Sequence, residues 1–115
     1  MTRDADCLFC KIVAEEIDAD VVARTDGAVA FRDINPQAPT HVLVVPREHQ
    51  PDVGSLAAAD PQALAAVLTL AAAVARSEGL SAHRVVFNTG VDAGQSVFHC
   101  HAHVLGGRAL SWPPG

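Results

Sequence analysis

Short apolar runs bounded by turn residues recur along this chain, one segment alternates apolar and polar positions strictly, and one longer stretch has a helical period. "DVVART" and "AVAFRD" read as two strands on either side of Asp26-Gly27, residue types that suit the positive φ of a type I′ hairpin turn. After the turn-rich "INPQAP", the β-branched run "THVLVVP" suits a central strand and is closed by Pro46. The helical stretch follows. Asp60 can cap it, Pro61 takes its first position, and Leu64, Val67, Leu68, Ala71 and Val74 share one face before Gly79 supplies the stop. That predicts a helix of about 18 residues, roughly 27 Å long. "RVVFNTG" and "VFHCHAHVL" are two further strands around the loop "VDAGQS", and "CKIVAEEI" is short and helix-compatible. Five strands with hairpin connections at both ends of the chain, one long helix and one short helix indicate an α+β fold with a mostly antiparallel sheet.

Composition narrows this picture. The 115 residues, half of them apolar, suffice for one sizeable core, so residues 1–115 are expected to form a single domain, without repeat, linker or membrane span. A net charge of -5 and the lack of any basic stripe argue against general nucleic-acid binding, although a small anion needs only a local site. The beginning "MTRDADCLFCKI" has no apolar segment after a basic one, and three cysteines do not make a disulfide framework; both fit a reducing cytoplasm.

Candidate chemistry concentrates in "QSVFHCHAHVLGG". His99, His101 and His103 alternate with Cys100, Ala102 and Val104, so a strand there has one imidazole face and one apolar face. A lone buried histidine is ordinarily a hydrogen-bonded core residue; three in register need a common explanation. A His-x-His pair can supply two ligands to a catalytic zinc. The other reading comes from the preceding loop, where Gly94, Gln95 and Ser96 can turn backbone N–H groups and a hydroxyl toward an anion, with Asn88 adding an amide at the same end of the sheet. Anion donors beside imidazoles suit phosphoryl or nucleotidyl transfer, in which a neutral imidazole is a competent nucleophile at pH 7. Cys7-x-x-Cys10 has three readings on its own: half of a zinc site, a redox pair, or two small apolar residues.

The run His99-Cys-His101-Ala-His103-Val-Leu resembles the signature of the histidine triad (HIT) superfamily, and "FRDINPQAPTHVLVVPREH" with the ending "HVLGGRALSWPPG" resembles its nucleotide-binding branch. The likeness runs from Cys7 to the C-terminus. It implies hydrolysis of purine nucleoside 5′-phosphoramidates, including acyl conjugates of AMP and GMP, through a nucleotidyl-histidine and without a catalytic metal. His101 would be the nucleophile, His103 would bind the phosphate, His99 would support ring orientation, and His41 would sit against the triad. Asn88, Gly94, Gln95, Ser96 and Val97 would line the phosphate end, with Ser96 helping to protonate the leaving group. Asp33 would take the ribose hydroxyls, and Leu8, Phe9 and Ile34 would sandwich the base.

The same resemblance makes Cys7 and Cys10 half of a structural zinc site completed by His49 and His99. It also implies a homodimer in which the tail, residues 108–115 with Trp112, lies near the partner's nucleotide site. Ser111 stands where many members carry histidine, which removes that side chain from leaving-group selection. On the residues alone, Asp33 and Asn88 serve equally as turn residues, Ser96 as a strand-end cap, and Phe9 and Ile34 as core. Competing functions are dinucleoside polyphosphate hydrolysis, which the "SWPPG" ending fits less well, and a nucleotide-binding or protein-interaction module with incidental catalysis.

Overall fold

Every residue of "THVLVVP" is buried, which makes Thr40–Pro46 (β3) the middle of the sheet. The computed structural model describes residues 4–115. Around β3 the strands Val21–Arg24 (β1), Ala28–Arg32 (β2), His83–Val86 (β4) and Ala102–Gly106 (β5) stand in the order β1-β2-β3-β5-β4, every neighbouring pair antiparallel. Helices Leu8–Val13 (α1), Val53–Ala59 (α2) and Pro61–Ser77 (α3) complete the fold. Two cores result. On one face α2 and α3 cover Ala28, Ala30, Val42, Val44, Cys100, Ala102 and Val104; on the other, Phe9, Ile12 and Val13 of α1 pack on Val29, Phe31, Leu43 and Val45. Successive side chains of β2 and β3 thus go to opposite faces, as a pleated strand requires, and both faces are buried.

Helix α3 forms as its sequence predicts, with the Asp60 carboxylate accepting from Ala63 N at 3.1 Å and Pro61 at its first turn. Its buried side comprises Val67, Leu70, Ala71, Val74 and Ala75, whereas Leu68, expected on that face, is 45% exposed. Helix α2 is an addition to the predicted elements. Its cap is Asp52, whose carboxylate accepts from Ser55 N at 2.8 Å, and Leu56 is its one buried anchor. Helix α1 begins earlier than "CKIVAEEI" implied because Cys7 caps it, Sγ accepting from Cys10 N at 3.4 Å, and it gives way to Glu15 in the left-handed region at φ 62°.

Two local expectations are corrected. Neither Asp26 nor Gly27 has positive φ, so the β1–β2 turn is not type I′; the Thr25 hydroxyl instead accepts from Gly27 N and Ala28 N at 3.3 and 3.0 Å. Glycine is needed at position 27 for a different reason: a Cβ there would lie 2.7 Å from Ala66 Cβ of α3. The second correction concerns the histidines. Strand β5 begins at Ala102, so His99 and His101 precede the ladder, whose last pair with β3 is Val44 with Ala102. Pro46, next but one along β3, has no N–H with which to extend it.

Candidate active site

Although residues 99–101 leave the ladder, their side chains keep to the predicted faces. Cys100 and Ala102 enter the core beneath α3, while His101 and His103 turn to the α1 face, their ring centroids 4.9 Å apart. There they line a cavity of about 630 Å³. Phe9 meets His101 edge-on at 5.1 Å and Phe31 at 5.3 Å, so the imidazoles sit at one end of an apolar wall. Leu8, Ile12, Ile34, Leu43 and Val97 continue that wall, and Asp33, Ser96 and Gly94 supply polar edges.

Hydrogen bonds assign the tautomers. Gln37 N–H donates to His41 Nδ1 at 3.0 Å, which leaves the His41 proton on Nε2. That N–H donates to His103 Nδ1 at 2.9 Å, with the Asp33 carboxylate also 3.5 Å away, and so the His103 proton resides on its own Nε2. His103 Nε2 is buried and has no hydrogen-bond partner among the described residues. It is a buried N–H donor on a residue that lines the cavity. In His101 the order is reversed: Nδ1–H donates to the main-chain carbonyl of His99 at 2.8 Å, and the lone pair therefore lies on Nε2.

Burial keeps these rings uncharged. It pushes His103 down to about 4, helped by the neighbouring His101 and His41 against the pull of Asp33. His101 and His41 also lie below the ordinary imidazole value, burial outweighing for His101 its bond to His99 and the Asp33 charge, and for His41 the Asp33 charge. Neutral His101 at pH 7 combines an available lone pair with an N–H held by a carbonyl.

Behind this row lies a second constellation. Single donor atoms of Cys7, Cys10, His49 and His99 all fall within 4.8 Å of one another. Nδ1 of His99 is 3.4 Å from Cys7 Sγ, 3.5 Å from Cys10 Sγ and 3.3 Å from His49 Nδ1, and Cys10 Sγ is 3.4 Å from His49 Nδ1. Ordinary zinc bond lengths imply N–N edges of about 3.3 Å and S–N edges of about 3.6 Å in a tetrahedral site. The donor set fits zinc in type and spacing. His99 Nε2–H donates to Pro46 O at 3.0 Å, which directs the Nδ1 lone pair into the set.

A triad of histidines on one face, with a fourth histidine against it, is decided by comparison with known proteins. The HIT domain family model matches residues 14–110. The chain belongs to the HIT family. It is 45% identical over 105 residues to a purine nucleoside phosphoramidase of Escherichia coli, covering 90% of this chain and 88% of that one. It is 44% identical over 115 residues to a 14 kDa zinc-binding protein of Zea mays, covering 97% and 90% respectively. A HIT family hydrolase of Legionella pneumophila superposes with a TM-score of 0.91 at 47% identity, covering 96% of this chain and all of that one (100%).

Of the residues singled out from the sequence of this HIT protein, Leu8, Phe9, Asp33, Ile34, Gly94, Ser96, Val97, His101 and His103 line the cavity. Gln95 does not act at its surface. Its Oε1 accepts from Gly90 N at 2.9 Å while its Nε2 donates to Pro51 O and Val97 O at 2.7 and 3.1 Å, so it ties the loop from within. Gly94 N–H and Gln95 N–H are likewise spent on Val91 O and Gly90 O, which corrects the expected row of backbone donors. Asn88 is half-buried beside Gly94, outside the cavity lining, and Trp112 is 82% exposed. His99 faces the cysteines. Ile12, Phe31 and Leu43 were missed as wall residues although their positions signal it: Ile12 follows Phe9 by three on a helix, and Phe31 precedes Asp33 by two. Gln37 and Pro46 act through backbone atoms and leave no trace in residue type.

Proposed function

We propose that this protein hydrolyses purine nucleoside 5′-phosphoramidates through a covalent nucleotidyl-His101 intermediate. The observation that carries the reading is the pair of opposed tautomers: a lone pair on His101 Nε2 beside an unpartnered N–H on His103 Nε2, both residues lining one cavity. A phosphate oxygen accepts from His103 Nε2–H, and His101 Nε2 attacks the phosphorus. The P–N bond of the substrate breaks, and the amine departs with its electron pair, taking a proton delivered through the Ser96 hydroxyl. Charge that grows on the His101 ring is stabilised by the His99 carbonyl at Nδ1–H. Water then attacks the same phosphorus and gives up a proton that replaces the one relayed through Ser96, the P–Nε2 bond breaks, and the nucleoside 5′-monophosphate leaves. Asp33 holds the ribose hydroxyls and the apolar wall of Leu8, Phe9 and Ile34 takes the base. The phosphoramidase activity named for the Escherichia coli relative supports this substrate class.

Catalysis in this reading requires no metal, and Cys7, Cys10, His49 and His99 hold a structural zinc, which when bound ties α1 to the loops carrying His49 and His99. The Zea mays relative, a zinc-binding protein, supports it. The chain works as a single-domain homodimer in a reducing cytoplasm, and the exposed Trp112 is an apolar surface available to a second copy. Rapid-quench trapping with labelled adenosine phosphoramidate tests the mechanism: wild-type protein accumulates an adduct and His101→Ala forms none while still binding AMP. An adduct on the variant refutes the assignment. Faster turnover of diadenosine polyphosphate than of the phosphoramidate would favour the competing substrate class.

A further inference from the structure

The four-donor set and the reacting row share one residue. Three polar groups of His99 are committed: Nδ1 to the set, Nε2–H to Pro46 O at 3.0 Å, and the main-chain carbonyl to His101 Nδ1–H at 2.8 Å. The segment that carries it is anchored in the core by the Cys100 side chain, but its main chain lies outside the ladder. Residues 99–101 precede β5, and the Cys100 N–H reaches not a strand but Gln50 O, at 2.7 Å, directly after the donor His49. Helix α1, by contrast, is independently anchored by Phe9, Ile12 and Val13 in the apolar core. The set therefore acts on the main chain that aims His101, whereas the wall that receives the base has its own apolar anchors.

We propose that Cys7, Cys10, His49 and His99 are positioning residues for His101: closed around a thiophilic dication, they fix the His99 main chain, and its carbonyl holds the His101 proton on Nδ1. The idea rests on the proposed reading of His101 as nucleophile and deepens it. With the set open, the His99 carbonyl loses its fixed place and His101 is free to carry its proton on Nε2, where no lone pair faces phosphorus. Ground-state contacts from His103, Asp33 and the apolar wall persist. The expected loss falls on kcat, on the order of 10- to 100-fold, the usual cost of removing a partner that orients a functional imidazole, with KM little changed.

The test compares zinc-loaded protein, the same protein after chelation, and His49→Gln, whose substitution lies outside both α1 and residues 99–101. Thermal melts establish that each is folded, nitrogen-15 shifts of the His101 ring report its tautomer without any substrate, calorimetry gives AMP affinity, and kinetics separate kcat from KM. Expected are a single Nδ1–H tautomer when loaded, a mixture when emptied, AMP affinity within about threefold and the kcat loss above, all reversed by zinc in the wild-type chain. Should emptied protein not fold, cadmium exchanged for zinc keeps the set closed at a larger radius, and His101 shifts and kcat must still move while AMP affinity holds. Unmoved His101 signals, or kcat and AMP affinity falling together, overturn the proposal. A loaded enzyme with the Nδ1–H tautomer but no phosphoramidate turnover overturns the functional reading alone.

Discussion

Replacing His103 with Phe keeps an aromatic ring at the cavity and removes both ring nitrogens, so it isolates the N–H that the His41 chain aims at the phosphate. His41 Nε2–H loses its acceptor at 2.9 Å, but Asp33 Oδ2, 3.5 Å away, is placed to take it, and no buried donor is stranded. Folding should therefore be affected little, by less than about 1 kcal/mol, the scale of one ordinary hydrogen bond. Function should be affected more. A hydrogen bond to a charged acceptor contributes about 1.5–3 kcal/mol, and at 1.36 kcal/mol per decade that is a loss of roughly 10- to 150-fold in kcat/KM. The phosphate is present in ground state and product alike, so AMP affinity should fall as well. His103→Gln, whose amide can donate from a similar position, should recover part of both. Steady-state kinetics with a fluorogenic adenosine phosphoramidate, and calorimetry with AMP, measure the two quantities. A His103→Phe enzyme within twofold of wild type in kcat/KM, with undiminished AMP binding, would show that the orphaned N–H has no phosphate to serve.

Because the folded His103 sits near 4 and an unfolded histidine near its ordinary 6.5, the unfolded chain binds the extra proton first as pH falls; melting temperature should decline from about pH 6.5 towards pH 4, and less steeply in His103→Phe. Equal slopes for the two proteins would remove His103 from the acid response. Gly27→Ala forces a Cβ to 2.7 Å from Ala66 Cβ and should cost about 1–3 kcal/mol in denaturant titration, while turnover, on the other face of the sheet, stays within twofold; an undestabilised variant would mean that α3 yields freely. Deleting residues 111–115 removes the exposed Trp112 and the Ser111 carbonyl that Arg84 Nη2 binds at 2.9 Å. Light scattering should still find a dimer, and discrimination among leaving amines should change several-fold, about 1 kcal/mol; an unchanged substrate profile would exclude the tail from the site.

What the sequence disclosed follows the physics of side chains. Alternation at residues 99–104 separates imidazole from apolar side chains, and those two faces are the ones observed, while the apolar runs of β2 and β3 announced strands buried on both faces. The cap at Asp60 and the start at Pro61 were legible for the same reason. Less legible was α2, whose Asp52 cap and small residues give a weak helical pattern with Leu56 alone buried. The Asp26-Gly27 turn misled because its glycine answers to packing on Ala66 rather than to φ. Gln95 misled in a similar way: an amide in a glycine-rich loop can face a ligand or the loop itself, and here its donors and acceptor are used by Gly90, Pro51 and Val97.

The end of the ladder before Ala102 joins the fold to the chemistry. In a continuous strand the carbonyl of His99 would bond to a neighbouring strand's N–H, and His101 Nδ1 would have no main-chain acceptor two residues back. In the register of the ladder Pro46 would face Cys100 and has no N–H to offer it, so pairing stops there, and the Pro46 carbonyl receives the His99 ring instead. Released from pairing, the His99 carbonyl turns to His101. The alternation that identified an imidazole face is thus preserved while the backbone bonds that would have accompanied a strand are exchanged for bonds to rings. The His101 lone pair depends on that exchange, so a substitution restoring regular pairing through residue 101 would keep all three histidines on one face and still weaken the proposed nucleophile.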